Sequence, residues 1–225
     1  MEVYIITFLP PLLIILYFYY SDRFPEPKSS IIQVFFLGIL VTVPVGFIND
    51  VFIWSVEEET GKTLSYRAGI TEEFLKFVCL YFLVSKRDFF NEPMDAIVYG
   101  VTISLGFATL ENFDYVFFLE EDMSRDDSLV IAAVRAISAI PMHGLCGVIM
   151  GYYLGIHCFT NKGHYVFQAI VIPMGLHALY NYLIDNEESF YLLLILFMLV
   201  YAKILHNKIK AVQLLKKSEE EYKFR

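Results

Sequence analysis

The sequence predicts an all-α fold, a polytopic membrane bundle of about seven transmembrane helices, on three observations. Hydrophobic residues make up 57% of the 225-residue chain and charged ones only 19%, a balance too apolar for an ordinary soluble domain. At least five uninterrupted apolar stretches reach roughly 18 residues, enough to cross a hydrocarbon core of about 30 Å as a helix. No segment alternates with a period of two over the roughly ten residues of a barrel strand, which argues against an outer-membrane barrel.

The expected spans are Val3–Tyr20, Ile31–Val56, Tyr66–Val84, Met94–Leu119, Leu129–Cys158, Tyr165–Ile184 and Phe190–Leu205. The first lacks a basic n-region and a small-residue cleavage site, so it reads as a retained anchor. The breaks between spans alternate in charge: Arg23 and Lys28, then Glu57 to Glu59, Lys86 and Arg87, Glu120 to Asp127, Lys162, Asp185 to Glu188, and the Lys-rich tail from Lys203 to Lys217. Positive connections prefer the cytoplasm, so the expected N-terminus is outside and the C-terminus inside. An odd number of spans agrees with that, since it places the termini on opposite sides. The setting this implies is a cell membrane, crossed several times.

Residues 1–206 form one expected transmembrane domain and 207–225 a charged cytoplasmic tail, with no internal repeat and no low-complexity linker. Ile209, Val212 and Leu215 recur at helical spacing in that tail, a pattern suited to the inner membrane surface. The net charge of −8 comes from acidic connections, and no basic stripe points to a nucleic-acid partner. Cys79, Cys146 and Cys158 lie in or at the ends of apolar runs without CxxC spacing, so neither a disulfide framework nor a zinc ribbon is expected. Gly147, Gly151 and Gly155 put small residues on one face of the fifth span, which reads as a seam for close helix packing.

Ionisable residues within spans cost on the order of 3 kcal/mol each at the bilayer centre and mark function by default. The third span carries Glu72, Glu73 and Lys76, with the lysine four and three residues after the glutamates and within reach of both. Two carboxylates beside one ammonium leave a charge or a proton to be accommodated. The fourth span carries Glu111, Asn112 and Asp114, with Tyr115 on the face of Glu111. The fifth contributes Arg135, a counter-charge for Glu111 or Asp114 or else a snorkelling surface residue, and His143. Pro141 is expected to bend that helix just before His143. The sixth places His177 and Asn181 one turn apart on one face.

A rise of about 1.5 Å per residue puts Glu72 roughly 9 Å, Glu111 roughly 12 Å, His177 roughly 10 Å and Asn181 roughly 5 Å below the outer surface. His143, counted from Leu129, comes out near 20 Å. Four helices thus bring polar residues towards one layer in the outer half of the membrane. Peptide hydrolysis there needs water, a base and donors for the oxyanion. Glu72 and Glu73 supply the base, His177 and Asn181 the donors, and His143 or Glu111 a group to orient water or shuttle a proton. Lys76, Asn112, Tyr115 and Arg135 support them.

Glu-Glu-x-x-Lys at 72–76, Gly-Phe-Ala-x-x-Glu-Asn at 106–112, Pro-x-His-Gly at 141–144 followed by Gly151-Tyr-Tyr-Leu-Gly155, and His-x-x-x-Asn at 177–181 together resemble the PrsW family of intramembrane proteases. The blocks run in the family's order over most of the chain. The family is similar in motifs to the type II CAAX prenyl endopeptidases, whose paired glutamates, histidines and asparagine imply a glutamate-activated water with no metal or other cofactor. In those enzymes the second motif is a histidine on its own helix, for which Glu111 and His143 are the nearest counterparts here. The resemblance implies extracytoplasmic, site-1 cleavage of a single-pass membrane protein such as an anti-sigma factor, at the head of a stress-response cascade. Two other readings stay open: a zinc protease with Glu111, His143 and His177 as ligands, and a proton-coupled transporter using the same buried groups as a relay. A noncatalytic scaffold is a further possibility.

Overall fold

A computed structural model describes residues 1–118 and 124–223 of the chain, with side chains described through residue 214. The described residues form helices and no strand. In order these are α1 (Glu2–Ser21), α2 (Lys28–Asn49), α3 (Ser55–Thr60), α4 (Tyr66–Cys79), α5 (Pro93–Phe117), α6 (Arg125–Ile137), α7 (Ala139–Thr160), α8 (His164–Asp185) and α9 (Phe190–Lys223). Single π-helical stretches, Asp50–Trp54 and Leu80–Val84, join α2 to α3 and extend α4.

Six helical stretches among the described residues are long and apolar enough to cross a membrane: α1, α2 through α3, α5, α6 with α7, α8, and α9 to Leu214. The segment expected as the third span, α4 with its π extension, carries Arg67, Glu72, Glu73 and Lys76 and is the most charged of the seven. Of these, Glu72, Glu73 and Lys76 face inward and are buried, while Arg67 is exposed.

Helix α5 is the axis of the bundle. Its membrane-spanning window is 89% buried, against 22% for α8 and α9, so the other helices surround it. Leu12, Leu16, Phe36, Leu40, Phe47, Leu193, Phe197 and Val200 stand exposed on α1, α2 and α9, which is the surface a hydrocarbon solvent requires. The glycine stripe of α7 packs on α5: a methyl at Gly151 would fall 2.2 Å from the Ala96 carbonyl oxygen, and one at Gly147 would fall 2.5 Å from that of Gly100. Only a side chain of hydrogen allows the backbones so close.

Three boundaries differ from those read in the sequence. The second helix continues past Val56 to Thr60, where Gly61 takes a left-handed conformation and its N–H closes on the Glu57 carbonyl. The fifth span breaks at Ser138, whose φ of −123° and ψ of −76° interrupt the helix. Pro141 therefore sits in the first turn of α7, where no intrahelical donor is needed, and the bend precedes it. The last helix continues without a break from the seventh span through the tail to Lys223. Leu119, the expected end of the fourth span, and the side chain of Leu215 lie outside the described residues.

Candidate active site

The break at Ser138 sets the depth of His143. Counted from Ala139, the histidine lies about 6 Å into α7, in the same layer as Glu72 in α4, Glu111 in α5 and His177 in α8. The discrepancy of depth that the sequence suggests arises from placing the start of the span inside α6. That helix is amphipathic, with Ala132 its buried residue and a Ser124/Asp127 capping box at its start.

One hydrogen-bonded chain links the four helices. The Lys76 ammonium donates to Glu73 Oε1 at 2.8 Å and to His143 Nδ1 at 3.0 Å, and lies 3.7 Å from Glu72 Oε2. An ammonium only donates, so His143 Nδ1 is an acceptor and the ring proton sits on Nε2. His143 Nε2 accordingly donates to Glu111 Oε2 at 3.0 Å. Arg135 holds that same oxygen at 2.6 Å and Asn112 Oδ1 at 2.8 Å, while Asn112 Nδ2 donates to the Thr7 carbonyl and ties the chain to α1. His177 Nδ1 lies 3.1 Å from Glu73 Oε1, and its ring stands edge-on to that of His143 with centroids 4.8 Å apart.

The two adjacent glutamates are not equivalent. Successive helical residues are rotated by about 100°, so Glu73 turns inward, fully buried, and takes the bonds from Lys76 and His177. Glu72 lines a cavity of about 320 Å³ that it shares with Glu111, Tyr115, Arg135, His143, His177 and Asn181. Glu72 Oε2 and Glu73 Oε2 are buried without a hydrogen-bond partner. An unpartnered buried carboxylate oxygen is costly enough to call for a ligand, a water or a proton.

The remaining expected residues fall around this centre. Asn181 lines the cavity and donates one Nδ2 proton to the Ser65 carbonyl at 3.2 Å, which leaves its second N–H available. Arg135 is the counter-charge of Glu111, and its guanidinium lies 3.9 Å from the centroid of the Tyr115 ring. Tyr115 thus supports the site through the arginine.

His177, expected as a neutral oxyanion donor, lies with Nδ1 3.1 Å from Glu73 Oε1. With Nδ1–H directed at Glu73, the neutral ring presents a lone pair at Nε2.

Several contributors carry no charge that would mark them in the sequence. Phe107 lies under the Lys76 ammonium with its centroid 4.0 Å away, a buried cation–π contact. Thr71 donates to Asn49 Oδ1 and joins α4 to α2 beside the cavity. Gly69 lies against the backbone of His177 and Ala178, where any side chain would push α4 from α8.

Glu72, His143 and His177 each offer one ligand atom, all within 4.8 Å of one another, and form a buried trio suited to a metal ion. Glu111, bound by Arg135, lies outside this trio. Glu72 Oε2 is free to coordinate, whereas both nitrogens of His143 are engaged, so its participation requires displacing Lys76 or Glu111. The donor set of two imidazoles and one carboxylate is that of catalytic zinc.

Residues 26–205 match the model of a family described as PrsW family intramembrane metalloprotease. Among curated proteins, the chain is 34% identical over 194 residues to "Protease PrsW" of Geobacillus kaustophilus, covering 84% of this chain and 83% of that protein. It is 32% identical over 198 residues to the Oceanobacillus iheyensis protein of the same name, covering 85% and 86%. The Bacillus subtilis protein is 32% identical over 196 residues, covering 84% and 85%. No solved structure matches the chain significantly.

Proposed function

The chain belongs to the PrsW family of intramembrane proteases, a multi-pass bacterial membrane peptidase, and from that premise we propose that it hydrolyses its substrate with a water activated by Glu72. The observation that carries this reading is Glu72, which lines the polar cavity and whose Oε2 has no hydrogen-bond partner. A carboxylate there accepts a proton from water as the water oxygen attacks the scissile carbonyl, then passes that proton to the departing amine.

The neighbouring groups take separate parts. Glu73 fixes Lys76 and the Nδ1 face of His177, so His177 Nε2 accepts a hydrogen bond from the attacking water. The free N–H of Asn181 stabilises the oxyanion. His143 is held by Lys76 on one side and by the Glu111–Arg135 pair on the other, and positions the cavity wall.

The substrate is a single-pass membrane protein, such as an anti-sigma factor, cut near the extracytoplasmic side as the first step of a stress-response cascade. Supporting this is the site's place near the Ser65 and Asp185 ends of α4 and α8, the ends that the alternation of basic and acidic connections puts outside.

A second reading has its own observation. The Glu72, His143 and His177 trio has the chemistry of a zinc centre, and the family is described as one of metalloproteases. A bound zinc ion would supply Lewis-acid polarisation of the scissile carbonyl. Glu73 would then orient His177 through Nδ1, the partner that a zinc-ligating histidine ordinarily has.

The test is reconstitution in liposomes with a single-pass model substrate. Glu72→Gln and His177→Ala are expected to lower cleavage by at least about 100-fold, and Glu73→Gln to abolish it by releasing Lys76 and His177. All three should leave expression unchanged. Full activity in both glutamine variants rejects the mechanism, and chelator-sensitive cleavage restored by zinc selects the metal reading.

A further inference from the structure

A second buried carboxylate cluster lies at the opposite end of α5. Glu92 and Asp95 at its start are 16 or more residues from Glu111, about 24 Å along the helix. Asp22 comes from the connection between α1 and α2. Asp22, Glu92 and Asp95 each offer a carboxylate oxygen, all within 4.8 Å of one another. Glu26, also buried, accepts a hydrogen bond from Tyr99 beside them.

The hydrogen bonds of two of these groups consume only one oxygen each. Asp95 Oδ2 accepts from the backbone N–H groups of Asn91 at 2.6 Å and Glu92 at 2.7 Å, closing the helix cap. Asp22 Oδ1 accepts from the Phe24 N–H and from Gln213 Nε2, both at 2.9 Å. The second oxygens, Asp95 Oδ1 and Asp22 Oδ2, have no partner, in residues that are 0% and 5% exposed. Neither Asp22, Glu26 nor Asp95 forms an ion pair with lysine or arginine among the described residues. Gln213, on α9, also donates to Glu92, so three chain segments meet on this point.

We propose that Asp22, Glu92 and Asp95 bind a hard divalent cation, calcium or magnesium, that clasps the α1–α2 connection and the start of α5 beside Gln213 of α9. The donors are all oxygen, with neither histidine nor cysteine among them, which selects these ions over zinc or copper. The free oxygens of Asp22 and Asp95 supply ligands without loss of the cap or of the Gln213 bond. The site is independent of the proteolytic cluster, and its expected effect is on the stability of the bundle.

The purified full chain in detergent, stripped with EDTA, is titrated with calcium chloride and separately with magnesium chloride while thermal unfolding is followed. A saturable rise of Tm by several degrees is expected with at least one ion. In Asp22→Asn and Asp95→Asn, which keep the oxygens that accept backbone hydrogen bonds, the half-saturating concentration should rise at least tenfold. His177→Ala should respond as the native protein does. As a measurement that needs no carboxylate variant, terbium emission excited through tyrosine should appear in the native protein, weaken in Tyr99→Phe and be displaced by calcium. Absence of a Tm rise with both ions, an equal rise in the two asparagine variants, loss of the rise in His177→Ala, or terbium emission unchanged by Tyr99→Phe would each overturn the proposal.

Discussion

Gly69 of α4 rests directly on the backbone of His177 in α8: a methyl at position 69 would lie 2.8 Å from the His177 carbonyl carbon and 2.7 Å from the Ala178 nitrogen. Neither atom can yield without moving α8. Gly69→Ala is therefore expected to separate Glu73 from His177, and a misplacement near 1 Å costs about 100-fold in rate. Cleavage of a reconstituted substrate should fall by that order while the protein still inserts; retention of native activity would show that the contact is not needed.

Among the described residues, Lys76 is the lysine that pairs with Glu73, and both are fully buried. Lys76→Met should destabilise the bundle by about 3–5 kcal/mol, the usual effect of leaving a buried charge without its partner. The double variant Lys76→Met/Glu73→Gln should recover much of that stability and none of the activity. Thermal unfolding and cleavage measured on the same preparations distinguish these outcomes.

Arg135 holds Glu111 and Asn112 at once through two nitrogens of its guanidinium. A lysine carries the charge but cannot make both bonds in that fork. Arg135→Lys should thus lose activity, by about 10- to 100-fold, the range seen for partners that orient a site histidine. Full activity in Arg135→Lys would reduce the arginine to a surface counter-charge.

Two glycines of the bundle should respond oppositely to alanine. At Gly151 the added methyl would meet the Ala96 carbonyl at 2.2 Å, so Gly151→Ala should lower stability by about 1–3 kcal/mol. At Gly175 it meets nothing within 4 Å, so Gly175→Ala should raise helix stability by about 0.5–1 kcal/mol. Unfolding midpoints of both variants check the sign.

The sequence by itself determined the membrane class and the helical fold, and it singled out most of the residues that meet at the candidate site. A charge in an apolar span is costly wherever the helix points, so Glu72, Glu73, Lys76, Glu111, His143 and His177 stand out in one dimension. Hydropathy also located six of the seven expected spans, because hydrocarbon thickness fixes their length. Tertiary structure decided what depends on azimuth and close approach: that Glu72 faces the cavity while Glu73 faces Lys76 and His177, and that Arg135 selects Glu111. It also decided that the helix breaks at Ser138 and that Gly69 admits His177. The cluster at Asp22, Glu92 and Asp95 escaped the sequence because carboxylates beside a loop ordinarily meet water. Only the packing of three distant segments removes that water.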